Sequence, residues 1–243
     1  MYYFEYGIKN NETIIFLHGA NFIHSFGRQY KLQNQYHLVI PHIVGFGEEA
    51  NRTFETEKAI IELKNLIDKF SKKVIVVGFS LGAQLGFELI KRYPKNIKGA
   101  ILVSPWLIKN ESILDDICEM NLKQLSSLKK KWLANLIGLM NGLQPKARKE
   151  FVIHMQNVKE ETIINCVKND ISLDKKYVDN EIPVLAIAGS KENEDVINSI
   201  KEMAEINAMT SYEVWDKANH NIPPVYWKKF NQRIITFIES IGD

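Results

Sequence analysis

Three short segments hold residue types that together could carry acyl-transfer chemistry. Gly78-Phe79-Ser80-Leu81-Gly82 is a Gly-x-Ser-x-Gly pattern between a β-branched run and a helical stretch. A serine presented on a tight strand-to-helix turn adopts a strained backbone, so the residues two places either side must be minimal. Gly78 and Gly82 meet that need, and Ala83 keeps the approach to a neighbouring strand open. The turn also sets Ser80 at a helix N-terminus, where the dipole favours developing negative charge. Ser80 is thus a candidate nucleophile.

A tetrahedral intermediate needs two preorganised N–H donors. One is expected from Leu81, the residue after the nucleophile. The other is expected from the loop His18-Gly19-Ala20-Asn21, with Ala20 as the donor. His18 itself reads as structural, holding that loop by a side-chain hydrogen bond. A serine also needs a general base, and the base an orienting carboxylate. Of the six histidines, at 18, 24, 37, 42, 154 and 220, only His220 follows the last expected strand. The loop after Val184–Ala188 offers three carboxylates, Glu192, Glu194 and Asp195.

The elements that must position these groups follow from hydrophobic patterning. Thr13–Leu17, Tyr36–Ile40, Val74–Val77, Ala100–Val103, Val184–Ala188 and Tyr212–Trp215 read as strands, with Tyr2–Tyr6 as an antiparallel edge. Glu55–Phe70 repeats its apolar residues in steps of three and four, the period of a helix. Leu81–Tyr93 reads as a second helix ended by Pro94, and Ile234–Ile238 belongs to a closing one. Strands alternating with helices call for an α/β fold with a mostly parallel sheet flanked by helices.

One stretch breaks the alternation. Residues 108–180 carry helical segments around 112–128, 131–140, 146–155 and 160–167, and no strand. A helical insertion between two strands of a parallel sheet is where a lid would sit. The expected organisation is a core of residues 1–107 and 181–243 with a lid of residues 108–180. Phe22, Phe79 and Trp106 beside the site loops, with Trp132 and Met140 from the insertion, are candidates for an apolar substrate pocket. Met120, Leu136 and Met155 could add to it.

The order of these features resembles the α/β-hydrolase superfamily over nearly the whole chain. The His-Gly loop, the serine turn, a helical insertion after the next strand, a carboxylate loop and a late histidine come in that family's sequence. The resemblance implies a Ser80–His220–Glu192 triad, since the family's acid falls three residues after the glycine closing its strand, here Gly189. Glu192 then precedes His220 by 28 residues, an interval typical of the family. Asp195 is the alternative acid. The implied reaction is hydrolysis of a carboxylic ester through an acyl-enzyme, with a thioester as the second substrate class and no metal or organic cofactor. A ligand-binding or signalling member of the same fold, with slow turnover, is a further alternative. The chain departs from the family in its glutamate acid, in the loop His42-Ile43-Val44-Gly45-Phe46-Gly47-Glu48, and in having fewer leading strands.

Composition bounds the remaining classes. The 243 residues are 45% hydrophobic, 25% charged and 10% aromatic, with 31 basic and 29 acidic residues and a net charge of +2. That balance gives no footprint for nucleic acid and no polybasic membrane anchor. The apolar runs are strand-sized, and Met1–Tyr6 lacks the features of a secretory signal. A cytoplasmic protein acting on a small molecule is expected. Cys118 and Cys166 are the only cysteines, too few for a disulfide framework or a cysteine metal cluster.

Overall fold

The computed structural model describes residues 1–20 and 22–242. Seven strands form one sheet: β1 (Tyr3–Tyr6), β2 (Thr13–Leu17), β3 (His37–Pro41), β4 (Val74–Phe79), β5 (Ile97–Val103), β6 (Val184–Gly189) and β7 (Thr210–Trp215). Their spatial order is β1-β3-β2-β4-β5-β6-β7. Only β1 runs antiparallel, pairing Tyr3 with Pro41 at the edge. Every residue of β2 and β4 is buried, as strands covered on both faces require.

Alternation along those strands divides the core in two. Ile15, Leu17, Val76 and Leu102 face one side, and Ile14, Phe16, Ile75, Val77 and Ile101 face the other. A one-residue slip would exchange the two sets, so packing on both faces holds the register. Helices α1 (Thr56–Ile67), α2 (Leu81–Arg92) and α7 (Glu194–Ile206) contribute to the first cluster, and α9 (Trp227–Ser240) supplies Phe230 and Ile234 to the second. The short α8 (Ile222–Val225) leads into α9.

Between β5 and β6 lie α3 (Leu114–Leu128), α4 (Lys131–Met140), α5 (Pro145–Asn157) and α6 (Glu160–Val167). Phe151, Met155, Ile163 and Cys166 of this insertion join the same apolar cluster as Leu17 and Val76. Cys118 and Cys166 are free, buried thiols. Among the described residues, no helix is long and apolar enough to cross a membrane.

Strand order reverses between β2 and β4: the chain moves outward from β2 to β3, then returns past β2 to β4. In open α/β sheets the crevice at such a switch point, beyond the carboxyl ends of the strands, is where ligands bind. The register places those ends side by side, with Leu17 opposite Gly78, Phe79 opposite Val103, and Gly189 opposite Trp215. The loops that follow carry Ala20, Ser80, Ser104, Glu192 and His220.

Candidate active site

Ser80 sits between β4 and α2 with φ 53° and ψ −118°, a conformation an L-residue holds only when its surroundings enforce it. The enforcement is steric and hydrogen-bonded. The Ser80 N–H donates to the Val103 carbonyl at 2.8 Å, and the N–H groups of Ala83 and Gln84 donate back to the Ser80 carbonyl. A Cβ on Gly82 would stand 1.9 Å from the Leu17 carbonyl oxygen, and one on Gly78 would stand 2.4 Å from the Gly82 oxygen. No larger side chain fits either place, so the turn is pressed against β2.

Ser80 Oγ lies 3.0 Å from His220 Nε2, and His220 Nδ1 lies 2.6 Å from Glu192 Oε2. The carboxylate at Nδ1 favours the tautomer with its proton there, which leaves Nε2 as the acceptor for the serine hydroxyl. The Phe79 ring packs against the imidazole at 4.9 Å between centroids. The Glu192 side chain is 2% exposed, while that of His220 is 48% exposed.

The second carboxylate oxygen of Glu192 is also engaged. Oε1 accepts from the Ser104 hydroxyl at 2.7 Å and from the Gly189 N–H at 2.8 Å. Burial opposes ionisation of Glu192, but the bonds from His220, Gly189 and Ser104 outweigh it and hold its pKa below the ordinary value. Neighbouring loops are laced together: Lys191 N–H donates to the Ala218 carbonyl at 2.9 Å, and Lys217 N–H to Ser190 Oγ at 2.9 Å.

Glu194 and Asp195 have a different local cause. They occupy the first turn of α7, whose N-cap Asn193 accepts from the Asp195 N–H at 2.9 Å, and acidic residues there complement the helix dipole. The Asp195 carboxylate accepts from the Asn110 N–H at 3.2 Å.

The loop after β2 is held by His18, which is fully buried. Its Nε2 accepts from the Ile43 N–H at 3.1 Å, so Nδ1 bears the proton and donates to the Gly19 carbonyl at 2.8 Å. Burial lowers the His18 pKa to about 4, which keeps this brace neutral. Asn21 lies outside the described residues. Ala20 and Leu81 both line a cavity of about 430 Å³ that also reaches Ser80, Glu192 and His220. Leu81 opens α2, where the backbone N–H has no intrahelical acceptor.

Of the apolar pocket candidates, Trp106 and Met120 line this cavity. The other six are placed elsewhere. Trp132 and Met140 are 68% and 74% exposed, because α4 buries its small residues Ala134 and Gly138 instead of its large ones. Phe22 stacks edge-on against Phe151 of α5 at 4.8 Å, and Phe79 is buried beneath the imidazole. Leu136 is exposed with Trp132, and Met155 belongs to the core. Helical spacing puts Trp132, Leu136 and Met140 on one face of α4 but does not tell that the packed face is the one carrying Ala134 and Gly138. The cavity walls are Ile117 and Met120 of α3, Val167 at the end of α6 and Val196 of α7. Ser104 and Gln84 were missed as site residues. Their signal is positional: Ser104 directly follows β5, beside the acid loop, and Gln84 lies one helical turn after Ser80. Among the described residues, no group of three or more His, Cys, Asp or Glu side chains is placed to hold a metal ion.

A family model described as alpha/beta hydrolase fold matches residues 12–225. No curated protein sequence matches the chain. Among solved structures, a bromoperoxidase from Bacillus anthracis superposes with a TM-score of 0.77 at 16% identity, covering 98% of this chain and 95% of that one. An enol-lactonase from Burkholderia xenovorans LB400 gives a TM-score of 0.74 at 17% identity over 98% of this chain and 96% of its own. A thermophilic esterase from Thermogutta terrifontis gives 0.74 at 14% identity over 100% and 94%. At these identities the likeness is one of fold, and the three names span different reactions.

Proposed function

The chain belongs to the alpha/beta hydrolase fold family, and on that premise we propose that it is a serine hydrolase cleaving carboxylic esters through an acyl-enzyme. Ser80 Oγ attacks the ester carbonyl carbon while His220 Nε2 takes the hydroxyl proton. Glu192 holds the imidazole in its reactive tautomer and stabilises the imidazolium that forms. The carbonyl oxygen, now an oxyanion, accepts from the backbone N–H groups of Ala20 and Leu81. Collapse expels the alcohol, which leaves with the proton from His220, and Ser80 is left as an acyl ester. Water, deprotonated by the same imidazole, attacks that ester and releases the acid with Ser80 restored.

The observation that carries this reading is the unbroken hydrogen-bond run from Ser80 through His220 to Glu192 at the wall of one cavity. In the same reading, residues 108–180 form a lid: α3 contributes Ile117, Met120, Asn121 and Gln124 to the cavity, and substrate enters beneath it. The apolar walls suit an uncharged acyl chain. The test is hydrolysis of p-nitrophenyl esters of increasing acyl length by the native protein and by Ser80→Ala. Turnover that depends on Ser80 and has a length optimum supports the reading, and turnover unaffected by the substitution overturns it.

A further inference from the structure

Gln84 stands one turn beyond Ser80 on α2, about 6 Å along the helix axis, and lines the same cavity. It is 5% exposed, unusually buried for a glutamine. A buried network fixes which end of its amide faces which way. Asn169 Oδ1 accepts from Lys109 Nζ at 2.8 Å and from the Ile171 N–H at 3.0 Å. Asn169 Nδ2 donates to the Cys166 carbonyl at 2.6 Å and to Gln84 Oε1 at 2.8 Å. With both acceptor positions and both donor hydrogens of Asn169 used, its orientation has no alternative. Gln84 must therefore offer its oxygen to Asn169, and its NH2 is left over.

That NH2 has no acceptor among the described residues, and the cavity is the space left to it. The apolar walls nearby, Ile117, Val167 and Val196, supply none. Apart from the reacting groups and Ser104, whose hydroxyl is committed to Glu192, the other polar side chains at this cavity are half-exposed or exposed. The Gln84 nitrogen is not among the enclosed polar atoms that lack a partner; it is open to the cavity, where a ligand oxygen can accept from it directly. The fixed donor is thus a point of recognition beside the apolar side chains of the wall, with the unpaired Trp106 Nε1–H as a second donor at the same cavity.

We propose that Gln84 is a specificity-determining residue, its side-chain NH2 donating to a second oxygen of the substrate, a carbonyl a few bonds from the scissile one. The preferred substrates are then oxo-substituted esters. This rests on the serine-hydrolase reading of the same cavity for its first assay.

The experiment compares kcat/KM for p-nitrophenyl hexanoate with its analogues bearing a ketone on the third, fourth or fifth carbon. A parallel series carries the ketone in the alcohol portion. Each is measured for the native protein, Gln84→Met and Gln84→Glu, with circular dichroism checking that the variants are folded. The two substitutions keep the side-chain length and remove the donor, and comparing variants cancels the intrinsic reactivity of each ester. The oxo-to-plain ratio should fall about tenfold in both variants for at least one ketone position. A ratio unchanged at every position in both series, with turnover still dependent on Ser80, overturns the proposal and leaves the hydrolase reading standing. Titration calorimetry on Ser80→Ala with a non-hydrolysable diketone and its matched monoketone reads the same contact without turnover. Tighter binding of the diketone that is lost on adding Gln84→Met supports the proposal, and equal affinities overturn it, whatever the hydrolysis assays give.

Discussion

The Ser104 hydroxyl donates to Glu192 Oε1 at 2.7 Å, which ties the end of β5 to the carboxylate that faces His220. Ser104 holds φ 55° to do so. With the Gly189 N–H on the same oxygen, the carboxylate is fixed in place and its other oxygen is left for the imidazole. Glu192→Gln should therefore lower kcat by a factor of about 10² to 10⁴. Asp195→Asn should change it less than about threefold, because Asp195 is bound to the Asn110 N–H. Steady-state kinetics of the two variants decide this, and the reverse order of effects would move the acid to Asp195.

Removing the brace alone is a finer test. Ser104→Ala leaves Glu192 its bonds to Gly189 and His220 but takes one donor away. Activity should fall by about 2- to 15-fold, the net contribution of one hydrogen bond while the Gly189 and His220 donors remain on the carboxylate. A loss as large as that of Glu192→Gln would show that the hydroxyl does more than hold the carboxylate.

Gly82 is a packing requirement before it is a chemical one. Its α-carbon lies so close to β2 that an added Cβ would meet the Leu17 carbonyl oxygen at 1.9 Å and that of His18 at 2.7 Å. Those are backbone atoms and cannot rotate aside. Gly82→Ala should destabilise the fold by about 2 kcal/mol or more, read as a lowered midpoint in chemical denaturation. An unchanged midpoint would mean that the turn is not held against β2.

Buried histidines make the fold sensitive to acid. Burial lowers His18 to about 4, His24 to about 4 and His42 to about 3, from the ordinary 6.5. Once unfolded, all three take up protons below that ordinary value, so the unfolded state binds more protons there. Their contribution to stability is full above 6.5 and is lost as pH falls from 6.5 towards their folded values. Depression of the Glu192 pKa adds a loss in the same direction at lower pH. The melting temperature should decline steadily on acidification below about pH 6.5; a melting temperature that rises over that range contradicts the assignment.

The cavity walls and the exposed face of α4 should respond differently. Met120→Ala and Trp106→Leu alter surfaces that line the cavity and should shift the acyl-length optimum. Trp132→Ser and Met140→Ser change side chains already in solvent, so both the optimum and the stability should hold. A shifted optimum in the Trp132 variant would bring α4 back into the pocket.

The contrast between α2 and α4 explains what the sequence could reveal. On α2 the chemistry leaves local marks, since two small residues and a serine at fixed spacing answer to a steric demand within five residues. The β-branched runs of β2 and β4 likewise announce a sheet covered on both sides. On α4 the stripe Trp132, Leu133, Leu136, Ile137 and Met140 is apolar at helical spacing, yet Ala134 and Gly138 make the close approach. Which face is packed depends on α5, and no local pattern carries that. The first two residues of α7, Glu194 and Asp195, fall in the stretch the sequence presents as the acid loop, where they compete as chemical candidates, although Asn193 followed by two acids is also a helix start. The Gln84–Asn169–Lys109 network spans α2, the segment after α6 and the segment after β5, so only the folded chain brings it together.

The proposed reaction turns on a covalent acyl intermediate at Ser80. The most direct measurement is acid quenching of the protein during turnover of p-nitrophenyl hexanoate, followed by peptide mass spectrometry. A hexanoyl adduct on Ser80, absent from Ser80→Ala and accumulating in His220→Gln only at a greatly reduced rate, is the result expected. Turnover with no adduct on Ser80, or an adduct on another residue that survives Ser80→Ala, would contradict the account.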